Sequence, residues 1–299
     1  MQPSIPASAV LPSRSVRSAP RALLCAASAA PPGLAIGLSL IAALALAGVL
    51  APFLAPHDPY VQNLSMRLAA PGPDYPLGAD SLGRCVLSRV LYGIRPTLGL
   101  SLAVSLGMAG IGTALGLVCP FSRLLDGLIM RLTDAFFAFP GLILSLVIIG
   151  VAGQSMAGLA LALILPGWPK YARVARTVAV STCAEGHVEA TRALGAGRKY
   201  IVRACLLPRV LPCVGSIFTI GIGGKIVQIA GLGVLGLGVA PPTPEWGGML
   251  VKGLPVLAIA PHIALASGGA IALASLAFTL AGEGLARLLD PARDEGLIP

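Results

Sequence analysis

Long uncharged runs alternate with short basic stretches along this 299-residue chain. A helix needs roughly 20 mainly apolar residues to cross a bilayer core. Residues 33–55 meet that length without a charge, and residues 96–118 do so again. Pro96 opens the second run, where a first helical turn leaves its missing N–H unmissed. From Ala135 to Pro169 no charge occurs, which is too long for one crossing. Gly153-Gln154-Ser155 inside it predicts a hairpin whose second arm runs past Lys170 toward Val180. Trp168 and Tyr171 then fall at the membrane interface, with Lys170, Arg173 and Arg176 just outside. A fifth run covers 210–234 and a sixth about 260–282. The pattern predicts an all-α, polytopic membrane bundle of six transmembrane helices, the first peripheral to a five-helix core.

Composition agrees. Hydrophobic residues make up 56% of the chain and charged ones 11%, against roughly 25% charged in soluble domains. Charge at a bilayer centre is costly, so this deficit suits lipid as solvent. The 37 glycines and 26 prolines suit close helix packing and kinks. The net charge of +9 forms no single basic surface, so nucleic acid is not an expected partner. Eight of the 21 Lys and Arg lie between Lys170 and Arg209, and Arg14, Arg17 and Arg21 precede the first run. Six crossings put both ends on one side. Loops 56–95 and 235–259 carry five Lys or Arg, whereas loops 119–134 and 181–209 carry seven. The balance puts the second pair and both termini in the cytoplasm. Residues 1–31 are expected to be a flexible basic cytoplasmic tail, 56–95 a periplasmic loop and 291–299 a second cytoplasmic tail.

Catalytic and metal chemistry find no foothold. The six cysteines form no CxxC, the three histidines are far apart, and no HExxH occurs. The segment GIGGK at 221–225 lies in an apolar run, and Ile226 stands where a P-loop has Ser or Thr. Lys225 is the clear charge inside a span. Fifteen residues from Val210, at ~1.5 Å each, put it ~22 Å into a core ~30 Å thick. It either snorkels to the outer interface or faces a translocation pathway. Gln228, three residues on, shares its helix face. A cation there would favour anionic cargo.

The most polar stretch, Thr182 to Pro208, predicts a compact knob. Glu189 to Leu194 forms a short helix, Gly195 and Gly197 a turn, and Arg198 to Leu206 a second helix. Pro208 and Pro212 then open the next span. The spacing Glu189-Ala190-Thr191, Gly195 and Leu207-Pro208 resembles the EAA loop of ABC-importer permeases. Thr191 replaces the second Ala, and Cys205 a usual Ile. The flanking segments PLGADSLGRCVLSRVLYGIRPTL, GLIMRLTDAFFAFPGLIL, WPKYARVARTV, VLGLGVAPPTPEWGGML and LARLLDPAR look like one permease group. That group serves di- and oligopeptides, nickel and metallophores, and this chain resembles its second permease subunit over about 33–293. Cys85 departs from it, standing where the group usually has Asp.

The resemblance implies a type I ABC-importer permease fold in the bacterial inner membrane, with no cofactor and no ATPase site of its own. It implies a homologous permease subunit, two ATPase subunits and a periplasmic binding protein as partners. Glu189, Ala190, Thr191, Gly195, Leu207 and Pro208 would couple the permease to the ATPase, and Lys225 and Gln228 could line the pathway. Gln228-Ile229-Ala230-Gly231 and Ile94-Arg95-Pro96-Thr97 look more like the nickel and metallophore members. The expected cargo is therefore nickel or a metal chelate, with peptide as the alternative. An intramembrane enzyme would need a nucleophile with its base, or paired acids, within the spans. A secondary transporter would ordinarily show repeated halves, and none are visible.

Overall fold

Apolar runs become helices in the computed structural model, which describes residues 31–153 and 155–289. The expected tails, with Arg14, Arg17 and Arg21, and the hairpin residue Gln154 lie outside the described residues, Pro31 excepted. The helices are α1 (Pro32–Val49), α2 (Ala51–Leu54), α3 (Val86–Val118), α4 (Arg123–Phe137) and α5 (Gly141–Ala152). They continue as α6 (Met156–Cys183), α7 (Gly186–Ala193), α8 (Arg198–Val234), α9 (Trp246–Gly253) and α10 (Pro261–Leu289). Among the described residues there is no strand, only an isolated bridge between Ala79 and Cys85.

The all-α membrane architecture holds, but the count of six spans is not reproduced. Four helices are long and apolar enough to cross a membrane: α1, α3, α8 and α10. A fifth is added if α4 and α5, bent by 93° at Ala138–Pro140, form one broken span. The sixth long helix, α6, has a second half carrying Lys170, Arg173 and Arg176. The two arginines are matched by α4. Arg176 pairs with Asp126, its Nη2 2.7 Å from Oδ2, and Arg173 pairs with Asp134 while lying over the Phe137 ring. Residues 119–134, expected as a loop, are thus mostly helix. Ser122 starts α4 by accepting the Leu125 N–H, and Ile129 and Thr133 form its buried face.

The hairpin turn does fall at Gly153. That residue takes φ +83, and Ser155 caps α6 by accepting the Gly158 N–H. Trp168 and Tyr171, expected at an interface, are instead 4% and 2% exposed, inside the bundle. Trp168 meets Phe136 edge to face, and α6 lies along α3 in the most extensive helix pairing of the fold.

Helix α3 begins at Val86, ten residues before the expected Pro96, which sits inside it. Its two early cations are hydrogen-bonded to groups far off in the sequence. Arg89 donates to the Pro59 carbonyl at 2.8 Å, and Arg95 donates to the Gly48 and Val49 carbonyls at 2.7 and 3.0 Å. Cys85 occupies the N-cap of α3 and makes no side-chain cap, the position at which an Asp would accept helix N–H groups. Three core clusters result, and the half-buried Phe218 of α8 touches the two larger ones. Helix α1 packs mainly on α10, in keeping with a peripheral first helix.

Candidate functional site

The polar stretch folds as a knob at the end of α6. Glu185 starts α7 and holds it to α8 through an ion pair with Arg209, and His187 Nδ1 lies 3.3 Å from the same carboxylate. Val188 turns inward, fully buried, into the cluster that holds Ala179, Ile201, Leu206 and Val210. That one apolar residue seats an otherwise polar helix.

The turn after α7 has a definite geometry. Gly195 adopts φ +85, its N–H donates to Arg192 O at 3.0 Å, and the Ala196 N–H reaches back to Thr191 O at 3.3 Å. This paired closure satisfies carbonyls that a helix end otherwise leaves free. The left-handed backbone is open to glycine and costs other L-residues roughly 1–2 kcal/mol.

Helix α8 then leaves the knob without a break. Ile201–Leu206 form a π-helical turn in which the Leu207 N–H bonds to Val202 O. The reason lies in the next residue. Pro208 has no N–H, and its ring crowds the carbonyl four residues back, so a widened turn absorbs the mismatch.

The expected coupling residues therefore separate into two groups. Glu189 and Ala190 are exposed on α7, and Gly195 is exposed beside them. Thr191 is half-buried and spends its hydroxyl on the His187 carbonyl at 2.7 Å. Leu207 and Pro208 lie in the neck, after the π-helical turn, and not at the tip. Two further tip residues escaped the sequence reading: Leu194 is 90% exposed and Tyr200 59%. Apolar side chains held out on a charged knob suit a partner surface, and their isolation in a polar stretch was the available signal.

Further along α8, Lys225 and Gln228 are both half-buried, and the ammonium donates to Gln228 Oε1 at 2.5 Å. At the opposite end of the bundle lies a buried charge cluster that the sequence did not disclose. Asp80 accepts from Arg84 at 2.8 Å and lies 3.8 Å from Arg89. Glu245 is 2% exposed and caps α9 by accepting the Gly247 and Gly248 N–H groups at 2.7 and 2.8 Å. Arg89, Glu245 and Lys252 line a cavity of about 200 Å³. Burial, then the nearby Arg84 and Arg89, draw the Lys252 ammonium below its ordinary value.

Comparison with known proteins gives the same outline. Residues 108–295 match the binding-protein-dependent transport system inner membrane component family, and residues 32–71 match the N-terminal TM domain of oligopeptide transport permease C. The chain is 35% identical over 266 residues to the dipeptide transport system permease protein DppC of Haemophilus influenzae, covering 87% of this chain and 90% of that one. It is 37% identical over 260 residues to the glutathione transport system permease protein GsiD of Pectobacterium atrosepticum, covering 86% of each. The GsiD of Escherichia coli O157:H7 is also 37% identical, over 83% of this chain and 82% of its own.

These relatives overturn the expectation of nickel or metal-chelate cargo. The segments behind that expectation answer to helix packing. Ile229 and Ala230 are 0% and 6% exposed, and Ala230 abuts Gly247 so closely that a Cβ there would come within 2.6 Å of its Cα. Ile94 is buried, Arg95 binds carbonyls at the end of α1, and Thr97 Oγ1 accepts the Trp246 N–H at 3.3 Å.

Proposed function

Because the chain belongs to the binding-protein-dependent transport inner-membrane component family, we propose that it moves short peptides as one permease half of an ATP-driven importer. It is an ABC-importer permease subunit of the inner membrane, and ATP hydrolysis belongs to a separate subunit. Dipeptide and glutathione permeases that align along most of its length are the observation that carries the peptide reading. A homologous permease chain, two ATPase subunits and a periplasmic binding protein complete the importer. Glu189, Ala190 and Gly195 contact the ATPase, Leu207 and Pro208 form the neck that relays its motion, and the binding protein largely selects the cargo.

Lys225 and Gln228 are the pathway residues of this reading. Two polar side chains bonded to each other on a half-buried helix face suit a wet passage. A peptide carries a terminal carboxylate, and one lysine at that depth is its natural counter-charge. In a strain lacking other peptide importers, the complete operon should support growth on a dipeptide supplying a required amino acid. Lys225→Met should leave complex assembly unchanged and lower dipeptide uptake several-fold. No growth on peptides with the wild-type operon would refute the cargo. Unchanged uptake by Lys225→Met at every substrate concentration would assign the lysine to snorkelling.

The basic ends of α6 and α8 support a cytoplasmic knob with cytoplasmic termini. A reporter fused after Glu185 should report cytoplasm and one within residues 60–80 periplasm. A periplasmic signal from the Glu185 fusion would reverse the orientation.

A further inference from the structure

Where α3 ends, two adjoining cavities open against the start of α8, beside the knob. One has a volume of about 430 Å³ and the other about 400 Å³, and both are lined by Phe121 and Arg198. Their two sides differ in chemistry. The α3 side of the larger is apolar, from Ala114, Val118 and the half-buried Phe121. The other side carries Arg198, Lys199 and Arg203, and the second cavity adds Arg192. No lining residue of either cavity is acidic. Among the described residues, none of Arg198, Lys199 and Arg203 is held in an ion pair, unlike Arg173, Arg176 and Arg209 nearby.

The level along the bundle is informative. From Pro96 to Ser122 the chain is uncharged, and Arg123 is the first charge after it. Ala114 to Phe121, the end of α3 and the turn after it, is thus the last stretch that hydrocarbon can surround, and the cations across from it stand at headgroup height. An apolar wall continued by unpaired cations matches one molecule in two parts, an acyl chain and a phosphate.

We propose that this double cavity holds an anionic phospholipid, its acyl chain along Ala114 and Val118 and its phosphate among Arg198, Lys199 and Arg203. Basic pockets between membrane helices take anionic headgroups in this way. The lipid would bridge the end of α3 and the start of α8.

The test is native mass spectrometry of the complete importer, equilibrated with equal amounts of phosphatidylglycerol and phosphatidylcholine. Retention of phosphatidylglycerol in about tenfold preference is expected. Arg198→Gln with Arg203→Gln should abolish the preference. Ala114→Phe, which fills the apolar wall and leaves every cation in place, should lower phosphatidylglycerol retention. Equal retention of the two lipids by the wild type would overturn the proposal, as would a preference that survives the double variant. Displacement of the lipid by inorganic phosphate, with Ala114→Phe silent, would make this a site for soluble phosphate instead. Lipid bound to the permease pair but absent once the ATPase subunits are present would make it part of their docking face.

Discussion

Ala190→Asp is expected to abolish uptake, by a hundredfold or more, in an importer that still assembles in the membrane and hydrolyses ATP. Ala190 is exposed, and the residue that seats α7 is Val188, on its other face. A carboxylate at position 190 therefore leaves the chain's own packing intact. It would be carried into the surface that receives the knob, next to Glu189. An unpaired charge buried at an interface costs about 2–5 kcal/mol, which is more than enough to separate hydrolysis from movement. Gly195→Asp should act in the same direction through the backbone, because its φ of +85 disfavours a side chain although nothing lies within 4 Å of a Cβ there. Gly195→Asn separates charge from strain, since Asn and Asp both visit the left-handed region more readily than most residues. Uptake and ATPase rates measured on reconstituted complexes give the answer. Normal uptake by both Ala190→Asp and Gly195→Asp would remove this loop from coupling.

Gly112→Val should cost the most in folding. A Cβ on Gly112 would come within 2.5 Å of the Trp168 carbonyl oxygen and 2.9 Å of the Ala172 nitrogen. Both are backbone atoms of α6, so no side chain can swing aside. Gly116, one turn on, faces the Ala172 carbonyl at 2.7 Å in the same way. Valine at 112 would force α3 and α6 apart along the broadest helix contact of the molecule, and overpacking of this kind costs about 1–3 kcal/mol or more. Gly110→Val is the matched control, on the same helix with nothing within 4 Å of its Cβ. The level of folded protein in membranes and its thermal stability in detergent should fall sharply for position 112 and little for 110. Equal behaviour of the two variants would mean that α3 and α6 do not approach so closely.

The apolar runs announced α1, α5, α8 and α10, because a helix in lipid must be apolar over its length. The start of α3 was hidden. Arg89 and Arg95 look like loop residues, and their partners, the carbonyls of Pro59, Gly48 and Val49, lie 30 to 47 positions away. Helix α4 was missed for a related reason: its Asp126 and Asp134 are matched by arginines of α6, and a local window sees only an uncompensated polar stretch. In the knob, Gly195 and its neighbours were legible because a turn is local chemistry. The depth of Leu207 and Pro208 was not, since it follows from the π-helical turn before them. The cargo hints misled because sequence around Ile94 and Ala230 serves packing between helices.

The unbroken passage from knob to span has a mechanical consequence. Thirty-seven helical residues at ~1.5 Å make α8 a shaft ~55 Å long, with no loop between the knob and Lys225. Whatever turns the foot of such a shaft turns the side chains along it. The widened segment at Ile201–Leu206 is its one change of thread. Shifting the pairing there by one residue would rotate everything beyond it by ~100° and advance it by ~1.5 Å, as a screw does.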